Sequence, residues 1–162
     1  MNPVPQEDLD CIERQLGRTP RDVHGIAYRC PCGKPAVVET NPRLADGTPF
    51  PTFYYATCPK LTGAISTLET TGMMGEMNAR LVTDPELSGA YSAAHEDYLA
   101  ARAVLKVDVP EIEGITAGGM PDRVKCLHSL VAHSLSAGPD VNPLGDEALA
   151  ALPQWWKNEP CE

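Results

Sequence analysis

The sequence predicts an α+β domain, a small antiparallel sheet from its first half packed with three to five helices from its second. Three observations predict it. Short β-rich runs closed by turn residues fill the first third of the chain, and helical spacing of apolar residues takes over after residue 60. The 16 prolines and 13 glycines require ordered loops between short elements. Strands followed by helices, rather than strands alternating with them, argue against a parallel α/β sheet. A chain of 162 residues suits one domain over 1–162 with a real core.

The elements follow in order. Leu9, Ile12 and Leu16 form one apolar stripe of an N-terminal helix at about 5–16, and Gly17 ends it. Cys11 lies off that stripe, an exposed or half-buried thiol of no special role. Residues 25–28 and 35–40 read as two strands, and the intervening Cys30-Pro31-Cys32-Gly33 turn makes them a hairpin with both thiols at its tip. Residues 52–57, rich in aromatic and β-branched side chains, read as a third strand that delivers Cys58 to the sheet end, where Pro59 stops it. Leu61, Ile65 and Leu68 at i, i+4 and i+7 then mark a helix up to Gly72. Met73, Met74 and Met77 follow in a short helix as core filler. Pro85 near a first turn opens a long helix from about 85 to 105, on which Tyr91, His95, Tyr98 and Arg102 share one face. On the sheet, that face should hold His95 hydrogen-bonded between tyrosines. Asp122 is the expected N-cap of a helix to about Ala137, with Gly138 as its stop. A tail from about 139 holds a short helix and Trp155-Trp156, a pair suited to clamp the tail onto the domain.

Charge and hydropathy exclude several function classes. A net charge of −9 does not suit a general nucleic-acid binder. No apolar run reaches the length of a membrane span. The N-terminus is acidic and lacks the hydrophobic segment of a secretory signal, so the expected compartment is the cytoplasm, where thiols stay reduced. The six cysteines are then read as ligands, nucleophiles or core residues before disulfides.

Four of them carry the chemistry. Cys30, Cys32, Cys58 and Cys126 sit at strand ends and at a helix start, and the reading is that they converge on one metal. Two close Cys-x-x-Cys pairs of a zinc ribbon are missing. Cys-Pro occurs at 30–31 and 58–59, and that dipeptide accompanies iron–sulfur ligands, so the cofactors expected are an iron–sulfur cluster, then zinc, then none. Without a metal, Cys30 and Cys32 would be a redox dithiol, Cys126 an activated nucleophile, or all four plain buried thiols. Cys161, almost at the chain end, is given no role.

A thiol enzyme is the second reading. Arg29, Arg43, Arg123 and Lys125 would hold an anionic small molecule, Cys126 or Cys32 would attack, and His128 or His133 would move protons. His128 borders the apolar stripe of its helix, which also suits a packed core histidine. A partner-binding module without chemistry, acting through the proline-rich loops and the tryptophans, is the third.

Arg29-Cys30-Pro31-Cys32-Gly33, the segment from Asn41 to Pro59, Gly119-Met120-Pro121 with Arg123-Val124-Lys125-Cys126-Leu127-His128, and Asn142-Pro143 together resemble one bacterial family, domain-of-unknown-function family five hundred and one. The resemblance covers nearly the whole chain. It implies a cytoplasmic protein of high-GC Gram-positive bacteria, encoded near a septum-formation initiator and an exopolyphosphatase-like phosphatase. The partners it implies are therefore a cell-division or phosphatase protein. Arg29, Cys30, Cys32, Cys58, Arg123, Lys125, Cys126, His128, His133 and Asn142 are motif positions of that family, which supplies no mechanism.

Overall fold

The structure, a computed structural model, describes residues 4–158 and 161–162. The expectation of an N-terminus without a secretory signal falls in part on residues 1–3, which lie outside the described residues. Helix α1 (Gln6–Leu16) precedes strands β1 (Val23–Arg29), β2 (Pro35–Thr40) and β3 (Tyr54–Ala56). Five helices follow: α2 (Pro59–Glu69), α3 (Met73–Thr83), α4 (Pro85–Ala103), α5 (Leu127–Ala137) and α6 (Pro143–Ala150). The three strands form one antiparallel sheet in the order β1-β2-β3. This is the α+β architecture expected, and no helix among the described residues is long and apolar enough to cross a membrane.

The hairpin register runs from Val23 opposite Thr40 to Arg29 opposite Pro35. Beyond that pair the chain turns tightly. The Cys30 N–H donates to the Lys34 carbonyl at 2.9 Å and the Gly33 N–H to the Cys30 carbonyl at 2.8 Å. Closing this turn requires φ of +92° at Gly33, a conformation that costs a residue with a Cβ. Central strand β2 is buried along nearly its whole length. Val38 lines a small cavity with Ile12 and Leu16 of α1, whereas its neighbour Val37 belongs to the main core. Successive strand residues point to opposite faces, so α1 covers one face and the helical layer the other.

Helix α5 is the centre of that layer and packs on β3, α2 and α6. Leu127, Leu130, Val131 and His133 are all completely buried, so both of its sides are covered rather than one stripe. It also starts later than Asp122. The N–H groups of Arg123 and Lys125 bond back to Gly119 and Gly118, and Asn78 clamps Val124 through both its N–H (2.8 Å) and its carbonyl (3.0 Å). That clamped loop holds the backbone out of helical form until Cys126, which is the N-cap residue.

The shared face of α4 is buried, with Tyr91, His95, Tyr98 and Arg102 all under 9% exposed. His95 pairs with the Thr116 hydroxyl at 2.9 Å rather than with tyrosines, because the loop after α4 folds back over it. The Tyr98 hydroxyl accepts from the backbone N–H groups of Phe53 (2.7 Å) and Tyr54 (3.1 Å), fastening α4 to the start of β3. Tyr98→Phe would leave both buried donors without that acceptor, at about 1–3 kcal/mol each. The expected loss is about 2–4 kcal/mol of unfolding free energy, read from the urea midpoint at unchanged slope. A midpoint within error of the wild type would show that the hydroxyl does not hold the strand.

Trp155 is buried and stacks edge-on against Trp156 at 4.6 Å, so the pair packs on the core from the tail.

Candidate functional site

The thiols form two groups instead of one. Among the described residues, two clusters of His, Cys, Asp or Glu bring ligand atoms within 4.8 Å of one another. One consists of Cys30, Cys32 and Cys161, the other of Glu69, Cys126 and His128. The convergence of Cys126 with the hairpin thiols is therefore corrected. Its place beside them is taken by Cys161, to which the sequence reading gave no role.

The β1–β2 turn supplies Cys30 and Cys32 to the first cluster. Cys58 lies outside that group of three but contacts Cys161; it is the N-cap residue of α2, where β3 ends and Pro59 opens the helix. The C-terminal residues return along α1 to bring in Cys161. Gln15 on α1 holds them there, its amide N–H₂ donating to the carbonyls of both Pro35 and Cys161 while its carbonyl accepts from the Thr57 hydroxyl at 2.7 Å. Glu162 is bound by Arg14 (2.7 Å) and Lys34 (3.1 Å). These cations hold the Glu162 carboxyl down to about 2.

Cys161 is the hub. Its Sγ lies 3.2 Å from that of Cys30, and its thiol also contacts those of Cys32 and Cys58. Cys30, Cys58 and Cys161 are buried, while Cys32 is partly open to solvent. Burial and the neighbouring thiols push Cys161 far up, and burial also raises Cys30. For Cys32, burial opposes ionisation, but the Lys34 N–H and the surrounding thiols outweigh it and lower its pKa. Cys11 is buried beside the C-terminus rather than half-exposed, because the returning tail covers it.

The second cluster joins the end of α2 to the start of α5. Glu69, the last residue of α2, accepts the first free N–H of α5, from Leu127, at 2.8 Å. The same oxygen lies 3.2 Å from His128 Nδ1. Burial opposes ionisation of Cys126, yet the His128 ring and the Ser129 N–H stabilise the thiolate and the net shift is downward. His128 moves the opposite way, to about 9, chiefly through Cys126, with burial opposing and Glu69 adding to the rise. His128 is thus not a core histidine. It lines, with Cys126, a cleft of about 430 Å³ bordered by β3 and the start of α2.

His133 sits elsewhere, fully buried between α4 and α6. Its Nε2 faces Asp97 at 2.9 Å and its Nδ1 accepts from the Asn142 amide at 3.2 Å. Burial lowers its pKa despite Asp97.

The four basic residues of the sequence reading are dispersed in their engagements. Arg29 pairs with both carboxylate oxygens of Asp8, tying the hairpin to α1. Arg43 pairs with Glu111 at 2.8 Å. Arg123 and Lys125 are exposed on the loop before α5.

Cys161, Gln15 and Glu69 escaped sequence reasoning. For Cys161 the one available signal was its residue type, since nothing in the sequence ranked it below the other cysteines except its place near the chain end. Gln15 and Glu69 gave none.

The model of the family described as "Protein of unknown function (DUF501)" matches residues 26–150. No curated protein and no solved structure matches the chain. The matched stretch contains Cys30, Cys32, Cys58, Glu69, Cys126 and His128, and leaves out Gln15 and Cys161.

Proposed function

This chain belongs to the DUF501 family, whose description assigns no activity, and from that premise we propose that it is a metal-binding protein with one ion held by Cys30, Cys32, Cys58 and Cys161. The observation that carries this reading is the position of Cys161, whose sulfur reaches three other thiols in a largely buried pocket. Bonds of about 2.3 Å to a tetrahedral zinc ion place its sulfurs about 3.8 Å apart. The cluster, with its three sulfurs within 4.8 Å and one pair at 3.2 Å, is on that scale. A polynuclear cluster interposes several irons and bridging sulfides between its cysteines and needs a wider opening. Single-ion tetrathiolate binding therefore ranks above the iron–sulfur cluster favoured by the Cys-Pro dipeptides. Four sulfurs without an open position describe a structural site, which ties hairpin, α2 and tail into one unit.

Elemental analysis of the purified full chain tests it. Zinc, or a single iron, should copurify, and prior alkylation of the hairpin thiols should prevent reloading. Protein that binds neither metal at micromolar concentration contradicts the proposal.

Gln15 gives a second check. It touches no ion but positions the backbone that carries Cys161, and outer contacts of that kind are worth about 10–100-fold in affinity. Gln15→Ala should weaken Zn²⁺ binding by about that factor, measured by competition with a chromophoric chelator. Unchanged affinity would mean that the tail needs no such clamp.

A further inference from the structure

The cleft beside α5 holds a group of side chains that the tetrathiolate does not use. A ring nitrogen of His128, a carboxylate oxygen of Glu69 and Sγ of Cys126 all lie within 4.8 Å of one another, and His128 Nδ1 is 3.2 Å from Glu69 Oε2. The other ring nitrogen shows how the histidine is oriented. Nε2 lies 3.3 Å from the Thr62 carbonyl and 3.3 Å from the Ser66 hydroxyl. A carbonyl only accepts, so Nε2 carries a hydrogen, and Nδ1 is the ring nitrogen left facing Glu69. An imidazole, a carboxylate and a thiol, the side-chain types that bind zinc, thus meet in one place. A cation that displaces the proton from the ring can bind all three at once.

The geometry also separates this group from a nucleophile triad. There the carboxylate takes one ring nitrogen and the nucleophile the other. Here the nitrogen opposite Glu69 is turned to Thr62 and Ser66. Bonds of about 2.0–2.2 Å from nitrogen and oxygen to a tetrahedral zinc ion would place those two atoms about 3.3–3.5 Å apart. Nδ1 and Oε2 are 3.2 Å apart. Each ligand is held from outside as metal ligands are: Nε2 by the Thr62 carbonyl, Oε2 by the Leu127 N–H, and Sγ by the Ser129 N–H.

We propose that Glu69, Cys126 and His128 form a second metal site, which takes a zinc-class divalent cation on three protein ligands and keeps its fourth position for an oxygen donor from the cleft. Two of the three ligands, Cys126 and His128, line that cleft with Thr57, Thr62 and Ser129, which gives the fourth position its outlet. Three protein ligands with one open position is the arrangement of catalytic rather than structural zinc, which polarises a bound water or carbonyl oxygen. The site is independent of the tetrathiolate, and either can fail alone.

Metal-stripped full-length protein, labelled with iodoacetamide under reducing, anaerobic conditions and read by peptide mass spectrometry, tests it. Zn²⁺ should slow alkylation of Cys126 at least tenfold. Glu69→Gln and His128→Asn should each lose that protection at Cys126 while zinc still protects Cys30, which also reports that the variant is folded. Equal Cys126 labelling with and without zinc overturns the site, and if that labelling is also fast, the group is a thiol nucleophile instead. Protection that survives Glu69→Gln and His128→Asn unchanged overturns the ligand set.

Discussion

Cys161→Ser is expected to lower the melting temperature of the zinc-loaded protein by about 8–16 °C. An ion present at a thousandfold its dissociation constant stabilises the folded chain by about 4 kcal/mol, and in a chain of this size each kcal/mol shifts the midpoint by about 2–4 °C. The substitution leaves three sulfurs and a hydroxyl in a pocket built for four soft donors, and frees a tail that Gln15 and the Arg14–Glu162 pair hold only at their contact points. Excess chelator supplies the control. It should bring the wild type down to the variant, since the difference is bound metal. A gap that persists undiminished in chelator would make Cys161 an ordinary core thiol.

Gly145→Ala should cost about 3 kcal/mol or more, the upper end of overpacking. Alanine is intrinsically better in a helix by about 1 kcal/mol, so propensity predicts the opposite sign. Packing decides against it. A Cβ at this position would overlap the Leu130 carbonyl oxygen and Ser134 Oγ, both on α5. Backbone cannot yield as a flexible side chain does, so α6 must move off α5. That displaces Asn142, which caps α6 through the Gly145 N–H (3.0 Å) and fixes the His133 ring. Gly89→Ala in α4 is the matched comparison, because its Cβ would meet nothing within 4 Å. It should gain about 1 kcal/mol. Equal urea midpoints for the two variants would contradict the close α5–α6 contact.

Local chemistry was legible, and long-range placement was not. The bounds of β2 could be read from Pro35 to Thr40 because β-propensity, the preceding Gly33 turn and Asn41-Pro42 agree. The hairpin tip followed from the same residues. The α4 face was readable through its spacing alone, since Tyr91, His95, Tyr98 and Arg102 recur with the helical period. Helix α5 was misplaced at its start because the deciding contact, Asn78 on Val124, joins segments 46 residues apart. The same limit split the thiols. Nothing near Cys126 in sequence marks Glu69 as its neighbour, and nothing near Cys161 marks the hairpin 131 residues earlier. Those pairings are made by the return of α5 onto α2 and of the tail onto α1, which only the packed chain defines.

X-ray absorption at the metal edge of the Cys126→Ser protein, in which the cleft group has lost its sulfur, tests the central claim most directly. A single shell of four sulfurs at about 2.3 Å with no metal–metal scattering is the result expected of one ion on Cys30, Cys32, Cys58 and Cys161. A metal–metal vector, or a first shell made mainly of nitrogen and oxygen, would contradict it.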